Sequence, residues 1–137
     1  MSDIRVDLDS VQVVEGQGLS EDDFELRVQV QEGSHNLVWP SLNGWIKLDK
    51  NGPPMSVNQE IAVYPVSTGK LSKRYNIELT EVDGGLNGQN DIGEGAVTID
   101  LTPDMAPAVV STTIPLKRPN GKFQGKVKVT LAAQRTS

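Results

Sequence analysis

Five separate segments of the chain alternate apolar and polar residues with a period of two. Ile4, Val6 and Leu8 alternate with Arg5, Asp7 and Asp9, and Leu26, Val28 and Val30 repeat the pattern. Tyr75, Ile77 and Leu79 follow it again, then Val97, Ile99 and Leu101, and lastly Val127, Val129 and Leu131. Successive side chains of a strand point to opposite faces, so each segment has one apolar face to bury and one polar face to wet. That is the pattern of antiparallel sheets covered on one side only. Weaker strand candidates lie at 45–49, 60–66 and 112–116. The total is about eight strands, within the range of an antiparallel β-sandwich.

Turn chemistry agrees with this reading. Asn-Gly occurs at 43–44, 51–52, 87–88 and 120–121. This dipeptide accepts the positive φ angles of tight hairpins. Pro53-Pro54 and Pro119 break the chain further, and only TPDMAPAVV (102–110) suggests a short turn of helix. At 137 residues, with no tandem repeat and no linker-like stretch, residues 1–137 are expected to form a single domain. Its core is expected to gather Ile4, Val6, Leu8, Leu26, Val28, Val30, Ile77, Leu79, Val97, Ile99, Leu101, Val127, Val129 and Leu131.

Composition removes several functions. There is no cysteine, hence no disulfide, thiolate metal site or Cys nucleophile. The opening MSDIRVDLDS is acidic and has no apolar h-region, so no secretory signal is expected. No apolar run approaches the roughly 20 residues of a membrane-spanning helix. The expected setting is the cytoplasm, or a particle assembled there. A net charge of −5 disfavours a nucleic-acid partner. The charge is unevenly spread: residues 1–32 carry nine acids and two bases, residues 79–104 six acids and no base, and residues 105–137 six bases and no acid. Such blocks suit complementary neighbouring strands, with Asp7 and Asp9 expected near Lys126 and Lys128.

Catalytic signatures are missing too. His35 is the single histidine, expected as a solvated loop residue with no second His at metal-ligand spacing. Neither a G-x-S-x-G elbow nor a G-x-x-x-x-G-K-[ST] phosphate loop is present. Trp39 and Trp45 lie close in sequence, but with six aromatic residues in the chain they are expected in packing rather than on a sugar-binding platform. The chain is read as non-enzymatic.

The informative stretch is EVDGGLNGQNDIGEG (81–95). It lacks the ligand spacing and flanking helices of an EF-hand. It matches the β-roll repeat G-G-x-G-x-D only loosely and only once, where that architecture stacks several copies. Residues 81–94 instead resemble the third calcium-binding loop of C2 domains. Glu81-x-Asp83 stands for that family's D-x-D, and Asn90-Asp91-Ile92-Gly93-Glu94 for its later acid and strand. GQGLSEDDFELRV (16–28), preceded by Glu15, is similar to the family's first loop, with Glu15 at the first acid and Glu21 or Asp22 at the second. PLKRPNGKFQGKVKVTL (115–131) resembles its closing hairpin. Two positions carry glutamate in place of the usual aspartate, one extra residue follows Ser20, and the third loop is about two residues longer.

The resemblance implies a C2-like β-sandwich acting as an interaction module. Its ligand would be Ca2+, held by Glu15, Glu21, Asp22, Asp83 and Asp91 at one end of the sandwich. Its partners would be a protein or assembly, or an anionic membrane surface, which the basic cluster Lys70, Lys73 and Arg74 could face. A second reading stays open. A small cysteine-free sandwich also suits a structural subunit decorating a virus capsid, a phage tail or a contractile injection particle.

Overall fold

A computed structural model of the chain describes residues 1–16, 23–49, 52–81 and 90–136. Among these residues it contains nine strands and no helix: β1 (Ser2–Gly16), β2 (Asp23–Glu32), β3 (His35–Trp39), β4 (Ile46–Asp49), β5 (Met55–Val66), β6 (Leu71–Glu81), β7 (Asp91–Leu101), β8 (Ala108–Lys117) and β9 (Phe123–Arg135). Every pairing is antiparallel, and the hydrogen-bonded order is β3-β2-β6-β7-β8-β9-β1-β5, with β4 continuing the edge beside β2. The expectation of an all-β antiparallel sandwich is met. The strand count exceeds the expected eight because β3 is a strand of its own. Residues 102–107, expected as a turn of helix, are a non-helical connection, and β8 begins at Ala108.

The sheet folds on itself at one seam. β7 and β8 share a single ladder pair, Ile92 with Lys117, whereas β6 and β7 pair along their whole length. Two glycines let the layers meet there. A Cβ on Gly93 would come within 2.5 Å of the Pro115 carbonyl oxygen, and one on Gly95 within 2.8 Å of Ile114 Cγ1. With hydrogen at those positions, Ile114 lies flush against β7. The halves β3-β2-β6-β7 and β8-β9-β1-β5 then face one another and bury their apolar faces in one cluster.

The alternation correctly identifies most of that core. Thirteen of the fourteen expected residues are buried, and Val97 packs against the cluster while partly exposed. The strand β1 adds something the simple pattern does not show. Its register against both neighbours shifts between Leu8 and Ser10, and the inward set changes from Ile4, Val6 and Leu8 to Val11 and Val13. A bulge inserts one residue, so the alternation changes phase and the strand continues.

The register of β1 against β9 also corrects the expected charge pairing. β1 and β9 are antiparallel neighbours as anticipated, but Asp7 stands opposite Ala132, and Lys128 opposite Gln12. Asp7 instead accepts a hydrogen bond from Arg5 Nε at 2.6 Å, and Lys126 lies 3.7 Å from Glu15.

Candidate functional site

Strand registers bring the ends of several strands to one end of the sandwich. Gly16 closes β1 opposite Gly125, and Asp23 opens β2 opposite Asp49 at the end of β4. Glu81 ends β6 opposite both Leu26 and Asp91, and Ile92 lies beside Lys117, where β8 turns toward β9. Glu15, Glu81 and Asp91 therefore share this end.

Two carboxylates there face the interior. Along β6 the inward positions are Tyr75, Ile77 and Leu79, and the next is Glu81, only 3% exposed. Asp91 occupies the facing register position on β7 and is 2% exposed. Like charges at facing positions of adjacent strands repel, and a cation between them relieves the conflict. Asp91 Oδ1 is buried without a hydrogen bond, the one such side-chain atom among the described residues. Among the described residues its charge partner is Arg118 Nε at 3.8 Å, from the turn between β8 and β9. Leaving a buried acceptor without a donor costs about 1–3 kcal/mol.

These oxygens fit a hard cation by ligand type. They are a partial set, since no group of three or more His, Cys, Asp or Glu converges among the described residues. The sequence-derived residues separate accordingly. Asp91 faces the interior beside Glu81. Glu15 sits at the same end but pairs with Lys126, with its side chain 42% exposed. Glu21, Asp22 and Asp83 lie outside the described residues.

Comparison with known proteins names no family. No protein-family model matches the chain, and no curated protein matches it either. Among solved structures it is similar to a C2 domain of a plant extended synaptotagmin 1, at 15% identity over 99% of this chain and 96% of that one, with a TM-score of 0.38. The superposition is loose, so the fold description rests on this chain's own strands.

Two participants stand outside the ligand set expected from the sequence. Glu81 is readable from phase, since the alternation through Tyr75, Ile77 and Leu79 carries it inward. Arg118 has no such signal, because its contact with Asp91 depends on how β8 meets β7.

A second polar cluster closes the opposite end. The Tyr64 hydroxyl on β5 donates to Glu32 Oε1 at 2.5 Å and lies 2.7 Å from the Tyr75 hydroxyl on β6. Lys73 Nζ stands 3.8 Å from Glu32 and 5.0 Å above the Tyr64 ring. His35, expected as a solvated loop residue, opens β3 and meets the same ring edge-on with centroids 5.4 Å apart. Lys73 is thus committed to Glu32, and Lys70 lies 3.7 Å from Asp100, so the basic cluster that could face headgroups is partly neutralised. Trp39 packs against the core as expected, whereas Trp45 is 47% exposed.

Proposed function

We propose that residues 1–137 form one non-enzymatic binding module whose loop end takes a divalent cation, calcium by ligand chemistry, at Glu81 and Asp91. The observation that carries this reading is Asp91 Oδ1, buried without a hydrogen bond and facing a second buried carboxylate. An oxygen in that position lacks a donor, and a hard cation would coordinate it directly. Calcium accepts six to eight oxygens, so backbone carbonyls and water would complete the two carboxylates. Use as a docking module for a protein or an anionic surface goes with this reading, because a bound cation changes the charge at the loop end.

Calcium titration followed by thermal melting tests the proposal. A ligand that binds the native state alone raises stability by about 2.7 kcal/mol at a hundredfold excess over its dissociation constant. The wild-type melting temperature should rise with calcium, and Asp91→Asn and Glu81→Gln should each remove the rise while circular dichroism still reports the folded sheet. A wild-type melting temperature indifferent to calcium would refute the cation site and leave the structural-subunit reading as the better one.

A further inference from the structure

The carboxylate pair already has a cation at hand, and that cation belongs to the chain itself. Arg118 Nε lies 3.8 Å from Asp91 Oδ1, close enough for an ion pair and too far for a hydrogen bond. The guanidinium thus offsets the charge of Asp91 while leaving its buried oxygen without a donor. Arginine binds carboxylates best through two parallel N–H bonds, and that geometry is absent here.

Arg118 is also anchored in a way that leaves its side chain free to move. Its N–H donates to the Lys122 carbonyl at 3.0 Å, and its own carbonyl accepts from the Gly121 N–H at 2.8 Å. Lys122 N–H donates to Asn120 Oδ1 at 2.9 Å, and Gly121 takes a φ of 85° that favours glycine. The turn therefore holds the Arg118 backbone at the mouth of the site. Its side chain is 47% exposed, so rotation about its own bonds carries the guanidinium into water without moving the turn.

We propose that Arg118 is a tethered competitor for the cation site at Glu81 and Asp91. The inference rests on the reading of that pair as a cation site and adds what sets its affinity. When the site is empty, Arg118 stands beside Asp91. When a divalent ion enters, the two positive charges repel, and the guanidinium swings out into water. Displacing a half-exposed ion pair is a small cost, so the competition lowers calcium affinity by about fivefold. Release of Arg118 adds positive charge to the turn, so an anion bound there would strengthen cation binding by the same factor that the cation strengthens its own.

Isothermal titration of calcium into the intact chain and three variants tests this. Arg118→Gln should bind calcium about fivefold more tightly than the wild type. Arg118→Lys, which keeps a tethered cation, should stay within about twofold of the wild type. Lys122→Gln removes the same charge from the same turn without touching Asp91, and should also change affinity by less than about twofold. Calcium binding by Arg118→Gln alone would be the extreme form of the same competition and would support it. If the wild type binds calcium and Arg118→Gln binds equally or less tightly, the competitor role is overturned and the cation site stands. A gain in Lys122→Gln equal to that in Arg118→Gln overturns it as well, reducing the effect to net charge. Absence of calcium binding in every protein overturns both readings.

Discussion

At Tyr64 one hydroxyl serves both layers of the sandwich, because β5 belongs to one half and its partners Glu32 and Tyr75 to the other. Burial raises the pKa of both phenols, and the hydrogen bond to Glu32 raises that of Tyr64 further. Tyr75 is pushed up to about 12, with burial the leading cause, the charge of Glu32 adding to it and the hydrogen bond with Tyr64 opposing it. An exposed tyrosine in the unfolded chain ionises near pH 10. The folded state thus keeps a proton that the unfolded chain loses, so this contribution is complete below about pH 10 and declines as pH rises toward about 12. Melting temperature measured across that interval should fall, and Tyr75→Phe should fall less steeply because it has no phenol to titrate there. Equal alkaline slopes in the two proteins would mean the pair is not what destabilises the fold.

The β7–β8 seam is the element on which the architecture turns. Full pairing of β8 with β7 would extend one flat sheet, whereas a single shared pair lets the chain turn the corner. Gly93 and Gly95 permit the close approach to different degrees. The Cβ added in Gly93→Ala would press on a backbone oxygen, that of Pro115, whereas in Gly95→Ala it would meet side chains, Ile114 at close range. Overpacking of this kind costs about 1–3 kcal/mol, and a side chain yields more readily than backbone. Denaturation midpoints should therefore place Gly93→Ala below Gly95→Ala. The reverse order would show that the corner is not set by this contact. Both glycines stand in plain view in the sequence, but their role depends on Ile114 and Pro115, about twenty residues further along the chain. The same holds for β1, where the alternation is legible up to Leu8 and the phase change to Val11 follows from a bulge against β5 and β9.

For the whole molecule, the two halves have no separate cores: Leu79 from one and Leu131 from the other are fully buried in the same cluster. Unfolding should then be a single transition, with far-ultraviolet and near-ultraviolet circular dichroism tracing one curve in urea. Leu79→Ala and Leu131→Ala should each lower that one transition by about 2–5 kcal/mol. Two transitions, or a variant that shifts one probe alone, would divide the chain into independent units. The sequence by itself determined most of the strands and their inward faces, since period-two alternation is a local property, but not β3 or the phase change in β1. It also marked the turn at Asn120-Gly121 and put Asp91 among the candidate ligands. The inward phase of Glu81 was legible too, but tertiary structure alone decided that it would stand opposite Asp91, that Glu15 would turn to Lys126 instead, and that Arg118 would reach the same carboxylate. Each of these is a contact between strands, set by register, bulges and the closeness of layers at a glycine seam, and none is encoded in the residues immediately beside it.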